Sequence, residues 1–315
     1  MKQTPAVRTE NLTKRFGHHV AVNDVDLEIY PGEVYGLIGP NGAGKTTLIR
    51  MLTTAEESSA GDIYINGERL RSDRPQPYIK RQLGYLPDDF PLYDDLNVWD
   101  YLDYFARLYY LQGRSRQRRL HEVLELVNLE HKQRSRITSL SRGMKQRLGL
   151  ARTILHNPTL LLLDEPVSGL DPIARQQFRE VIKTLQTVGM TILISSHVLS
   201  DLAELCTAIG IMELGFLVES APLQELYQRL SRQQIWLSTQ DDPQKVADHL
   251  AQVASVKAVE MDPAGTLKMQ FLGDQAEAAA LLRSLVETGF SIYDFRCVQD
   301  SLEEIFFKVG HQQSS

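Results

Sequence analysis

The chain has 315 residues, 43% of them hydrophobic and 23% charged, an ordinary globular composition with room for two domains. Its formal net charge of −6 and pI near 5.8 argue against a general nucleic-acid binder, which carries a basic face. The two cysteines, Cys206 and Cys297, lack metal-ligand spacing and read as buried small hydrophobes in a reduced, cytosolic compartment.

The N-terminal Met1-Lys2-Gln3-Thr4-Pro5 has no apolar segment behind it, which speaks against a signal peptide. No apolar run approaches the roughly 20 residues of a membrane helix, so any membrane crossing falls to another chain. Residues 7–29 read as strands, in which Val25, Leu27 and Ile29 alternate with Asp24, Asp26 and Glu28. Pro31-Gly32 turns into a short apolar strand, Val34-Tyr35-Gly36-Leu37-Ile38. A glycine-rich loop and the helical stretch Leu48 to Leu52 follow. Gly61 to Ile65 is a strand that ends in the turn Asn66-Gly67.

Val98, Leu102, Phe105, Leu108 and Leu111 recur at helical spacing, and Leu120, Val123, Leu124 and Val127 repeat the pattern. Residues 90–135 are therefore a helical insertion in an α/β core. A further helix over 145–156 is stopped by Asn157-Pro158. Thr159 to Asp164, Thr191 to Ser196 and Ala208 to Met212 have the apolar runs of buried parallel strands. Pro172 opens a helix that continues over 173–187.

The pattern changes after Ala221-Pro222. A helix over 223–232 precedes a strand (235–239), a helix (243–254), two strands (256–261 and 267–272), a helix (276–289), a strand (291–297) and a last helix (301–308). That β-α-β-β-α-β order is a ferredoxin-like split motif. The expected domains are 1–222, with a helical subdomain at about 90–155, and 223–315.

The chemistry concentrates at Gly39-Pro40-Asn41-Gly42-Ala43-Gly44-Lys45-Thr46-Thr47. Strand, glycine loop and helix in that order make a phosphate cradle. Backbone N–H groups crowd the phosphates, and the helix start adds its positive dipole end. Lys45 reaches the outer phosphates and Thr46 offers a hydroxyl to Mg²⁺. The run Leu160-Leu161-Leu162-Leu163-Asp164-Glu165 sets two carboxylates at the C-terminal end of a buried strand, where open α/β sheets bind ligands. Asp164 suits Mg²⁺ held through water, and Glu165 suits an attacking water. Leu140 to Arg147 fits a helix start with Ser141 as cap and Gly143 freeing an N–H, as readily an ordinary capped basic helix as an anion site.

Together these motifs resemble the ATP-binding subunit of an ABC transporter. Gly39 to Thr47 matches Walker A and Leu160 to Glu165 matches Walker B. Leu140 to Met144 is similar to the signature motif, in the form LSRGM instead of LSGGQ. Ser168-Gly169-Leu170-Asp171 resembles the D-loop, and His197 after Ser195-Ser196 resembles the switch histidine. The resemblance implies a phosphate-loop NTPase fold with a mostly parallel core sheet, an antiparallel N-terminal β-subdomain and a helical subdomain. A small C-terminal α+β ferredoxin-like domain follows.

The same resemblance implies ATP hydrolysis with Mg²⁺ by two subunits facing head to tail, most simply a homodimer. Cradle, Asp164, Glu165 and His197 come from one subunit, Ser141 and Gly143 from the other, with Asp171 at the interface. Phe16 stands where the family stacks an aromatic on adenine. Asp88 stands where the family has a metal- and water-contacting Gln, and Arg142 replaces the first signature glycine, where it is expected to be solvated or interface-facing.

LSRGMKQR, Asp88 and the tail Ser301-Leu302-Glu303-Glu304-Ile305-Phe306-Phe307 resemble daunorubicin-resistance-type exporter ATPases, which act with separately encoded membrane permeases. That places the chain on the inner face of the cell membrane through its permease. The rival is a soluble ABC ATPase working on nucleic acid or ribosomes. The C-terminal domain is either a stabilising appendage or a dimerisation or regulatory module.

Overall fold

In a computed structural model, described over residues 3–71, 75–198, 202, 204–230 and 233–299, the chain divides into two compact units, Met1–Leu223 and Gln224–Ser315. The first unit contains two sheets. Strands β1 (Val7–Phe16) and β2 (His19–Ile29) form an antiparallel hairpin paired from Val7↔Ile29 to Phe16↔His19. β4 (Ala60–Ile65) and β5 (Glu68–Leu70) extend it to the order β2-β1-β4-β5. The alternation in β2 sends Val25, Leu27 and Ile29 into the core and leaves Asp24, Asp26 and Glu28 in solvent.

The second sheet has six strands in the order β10-β9-β3-β8-β7-β6. These are β3 (Val34–Ile38), β6 (Leu83–Leu86), β7 (Leu160–Leu163), β8 (Thr191–Ser196), β9 (Ala208–Glu213) and β10 (Phe216–Pro222). All neighbours pair in parallel except β10, which returns antiparallel to β9. Every residue of β3, β7 and β8 is buried, which is why their sequences run apolar without alternation. β6 and β10 escape sequence reading. β6 is four residues long, and β10 is mostly half-exposed with no clear period.

Helix α1 (Lys45–Leu52) follows β3, and the short α2 (Pro77–Gln82) leads into β6. The helical insertion holds α3 (Val98–Leu108), α4 (Gly113–Leu126) and α5 (Arg142–Ile154). α3 ends at Leu108, so Leu111 lies past it, beyond the left-handed Tyr110 at φ 61°. α5 begins at Arg142, ahead of the expected 145, because the Ser141 side chain caps it by accepting the Met144 N–H at 3.3 Å. α6 (Pro172–Thr187) starts at its proline behind the cap Asp171, which accepts the Ala174 N–H at 2.9 Å.

Helix α7 (Leu223–Leu230) starts at the boundary between the units. The second unit continues as β11 (Gln233–Thr239), α8 (Pro243–Leu250), β12 (Val256–Met261), β13 (Leu267–Phe271), α9 (Gln275–Glu287) and β14 (Ile292–Gln299). Its antiparallel sheet has the order β12-β13-β11-β14, the ferredoxin-like arrangement. Ile235, Leu237, Val246, Leu250, Met269 and Leu285 belong to a core of its own. α8 stops at Leu250, short of 254. Cys297 is exposed, contrary to expectation, because β14 is an edge strand with cover from one neighbour; Cys206 is buried. The expected helix over 301–308 lies outside the described residues.

Candidate functional site

The parallel strands β3, β8, β7 and β6 are neighbours, and each delivers one part of the site from its C-terminal end. β3 leads into the loop Gly39 to Gly44. Glycine is required there for two separate reasons. A Cβ on Gly39 would meet the Met212 carbonyl oxygen at 2.2 Å. Gly44 caps α1 at φ +103°, and a Cβ there would meet the Ala21 oxygen at 2.3 Å. No side chain caps α1, so its first N–H groups are available to an anion. Lys45 is buried; its Nζ donates to the carbonyls of Gly39 at 2.7 Å and Pro40 at 3.2 Å.

β7 ends on Asp164 and Glu165. Asp164 is 1% exposed, and its Oδ1 accepts from Ser195 Oγ at 2.6 Å and Thr46 Oγ1 at 3.1 Å. Burial pushes its pKa up; the bonds from Ser195 and Thr46 pull it back, and the Glu165 and Asp88 carboxylates add to the upward push. Glu165 is held at φ 47°, a left-handed conformation rare outside glycine. Its carboxylate lies between two cationic or proton-bearing groups: Oε1 is 3.4 Å from Lys45 Nζ, and Oε2 is 2.8 Å from His197 Nδ1.

Phe16, Asn41, Gly42, Ala43, Gly44, Lys45, Thr46, Thr47, Asp88 and Glu165 line one cleft of ≈ 370 Å³. Gly39, Pro40, Asp164 and His197 are tied to it through Lys45, Thr46 and Glu165. Phe16 is half exposed and carries Lys14 Nζ 4.8 Å from its ring centroid. Sequence reasoning missed His19 and Ala21, which share the lining, and Ser195, which joins Asp164 to Glu165. Ser195-Ser196, two buried hydroxyls ending an apolar strand, was the available signal.

Ser141, Gly143 and Asp171 are not part of that lining. They sit together elsewhere on the unit, at the starts of α5 and α6, where a Cβ on Gly143 would meet Ala174 Cβ at 2.5 Å. A larger hollow of ≈ 600 Å³ is lined by Arg119, Glu122 and Glu180 among others, and by none of the glycine-loop residues 39–47.

Residues 22–168 match the family model of the ABC transporter. The bacitracin transport ATP-binding protein BcrA of Bacillus licheniformis is 34% identical over 96% of both chains. An uncharacterized ABC transporter ATP-binding protein of Bacillus subtilis, YxlF, is 35% identical over 96% of this chain and 98% of its own. The chain belongs to the ABC transporter ATP-binding proteins. Among solved structures, one described as the ATP-binding subunit of an ABC transporter superposes with a TM-score of 0.63 at 31% identity, covering 71% of this chain and 92% of that one. CbiO1 from Clostridium perfringens has the same fold, with a TM-score of 0.66 at 23% identity over 72% of this chain and 92% of its own. As an ABC ATPase this protein binds ATP, and its hydrolysis is coupled to transport.

Asp164 and Thr46 fit the Mg²⁺ that such a site uses. They are hard oxygen donors, and Asp164 is a buried acid whose Oδ1 accepts from two neutral hydroxyls, Ser195 and Thr46. Among the described residues no three His, Cys, Asp or Glu side chains cluster as a metal cage. No helix of the described residues is long and apolar enough to cross a membrane.

Proposed function

We propose that this chain is the ATP-hydrolysing subunit of an exporter-type ABC transporter, working as a pair of copies against a separately encoded membrane permease. The observation that carries the reading is the position of Glu165, fixed between Lys45 and His197 at the mouth of the phosphate loop. The backbone N–H groups of Gly42 to Thr47 and Lys45 bind the phosphate chain, and Phe16 stacks on the base. Thr46 and Asp164 would hold Mg²⁺, with Asp88 placed to orient a water beside them; an ion held there would supply charge neutralisation for phosphoryl transfer. Glu165 takes the proton from the attacking water, and His197 keeps that carboxylate aimed at it.

Ser141 and Gly143 have no role in their own cleft. Their helix-start N–H groups suit the γ-phosphate in a second copy, with Asp171 beside them at the contact between copies. The γ-phosphate then joins the two subunits, and its loss lets them part, which is the motion a permease would use. The full-length relatives are named as ATP-binding proteins of transporters, BcrA for bacitracin, which supports the permease-linked reading over a soluble ATPase acting on nucleic acid or ribosomes. On this reading the protein sits at the inner face of the membrane through its permease. Residues 1–222 form the ATPase domain and 223–315 an accessory domain.

Glu165→Gln tests it. The variant should bind ATP and dimerise with it, while turnover falls about hundredfold or more. Wild-type turnover would remove Glu165 from the role of base, and a monomer at saturating ATP would remove the shared site.

A further inference from the structure

Arg142 stands where the family has glycine, and it is neither idle nor aimed away from the unit. Its Nη2 donates to the Ser168 carbonyl at 3.0 Å. Its guanidinium also covers Gly169, where a Cβ would meet Nη1 at 2.5 Å and Cζ at 2.6 Å. Gly169 is left-handed, at φ +65°. The Ser168 N–H in turn donates to the Glu165 carbonyl at 3.1 Å, and the Leu170 N–H to Val167 at 3.3 Å. An unbroken chain of contacts therefore runs from the first residue of α5, through the 165–170 loop, to the backbone of Glu165. The same loop leads directly to Asp171.

From this we infer that Arg142 is a positioning residue that links the two ATP sites a subunit serves. It clamps the Ser141–Gly143 helix start to the loop that sets Glu165, so engagement of the helix start is felt at the carboxylate of the same chain. This rests on the proposed shared site. The physical reason is that Glu165 sits in a strained conformation, and a strained residue persists only where its surroundings hold it. The loop is packed through the buried Val167 and Leu170, and at its exposed turn, Gly169, Arg142 supplies a planar, charged anchor that glycine cannot.

The test uses the full chain with Arg142→Ala and Arg142→Lys. Hydrogen exchange of the ATP-free monomer reads the clamp directly. In Arg142→Ala the amides of Ser168 and Leu170 should exchange about tenfold faster, while that of Leu48 in α1 keeps its wild-type rate. Steady-state ATPase assays read the link. kcat should fall about tenfold with KM for ATP little changed, and the Hill coefficient should fall toward one. Arg142→Lys should restore part of the loss.

Unchanged exchange at Ser168 and Leu170 in Arg142→Ala, or a kcat and Hill coefficient at their wild-type values, would overturn the inference. If exchange rises but Glu165→Gln stays monomeric with ATP, the clamp stands as a positioner of Glu165 and the shared site is what fails.

Discussion

Ser195 Oγ donates a 2.6 Å hydrogen bond to Asp164 Oδ1 and accepts the Glu165 N–H at 2.9 Å. One fully buried hydroxyl on β8 thus fixes both acidic residues at the end of β7. Ser195→Ala leaves the Glu165 N–H without its acceptor and removes the donor to Asp164. The expected loss is about 1–3 kcal/mol of stability. Urea denaturation should show a lower midpoint with an unchanged slope. An unchanged midpoint would mean that the two acids are placed by the strand ladder alone.

His197 meets Glu165 at 2.8 Å without lining the cleft. Replacing it by alanine should leave ATP affinity close to wild type and lower kcat by about 10²-fold. A loss confined to KM would assign His197 to nucleotide binding instead.

Phe16 is half exposed at the rim of the cleft. If it stacks on adenine, Phe16→Ala should weaken ATP binding by about 1–3 kcal/mol. Binding of inorganic tripolyphosphate, which has no base, should be unchanged. Equal losses for both ligands in calorimetry would show that Phe16 acts through packing.

His156 gives the fold a pH dependence of its own. It sits at the end of α5, its Nε2 is 2.9 Å from the Leu83 carbonyl, and its ring stacks on Tyr109 at 4.2 Å. Burial lowers its pKa below 6.5; the Leu83 bond opposes this, and the nearby Arg119 charge adds to it. Between the folded-state value and 6.5 the unfolded chain binds more protons, so stability rises with pH across that window. The contribution is complete above 6.5 and is lost as pH falls through the folded-state value. Unfolding curves from pH 7.5 to 5 should show that decline, and His156→Gln should flatten it.

Gly44→Ala places a Cβ 2.3 Å from a carbonyl oxygen in a residue at φ +103°. It should cost about 1–3 kcal/mol from the backbone conformation alone, and ATP binding should be lost with it. A stable variant that still binds ATP would show that the loop can rebuild.

The parts of this architecture that sequence made legible are those with a strong period or a forced residue. The continuous apolar runs of β7 and β8, the glycines of the phosphate loop, the cap at Ser141 and the helix start at Pro172 are of this kind. The second unit's strand order was also readable, because its turns and helices alternate at regular lengths. What escaped has a physical reason. β6 is too short to show a period, and β10 is an edge strand whose side chains face neither core nor solvent consistently. His19 enters the cleft only because the hairpin brings it opposite Phe16, a pairing across a turn that no local pattern announces. Arg142, expected to be solvated or interface-facing, is exposed; its hydrogen bond to a backbone carbonyl 26 residues away was not legible, because such a partner has no side-chain signature.

The parallel ladder also decides which genetic changes the site can absorb. Ile38 lies opposite Ser196, Ile194 opposite Leu163, and Leu163 opposite Leu86, so loop, hydroxyl and carboxylates reach a common level. Exchanging one aliphatic residue for another within Leu160–Leu163 keeps that level. Deleting a single codon there would pull Asp164 back by one residue and turn its side chain to the opposite face of the sheet. The active centre is therefore tolerant of spelling changes in its strands and intolerant of frame-preserving indels in them, so length variation should be confined to the connecting loops.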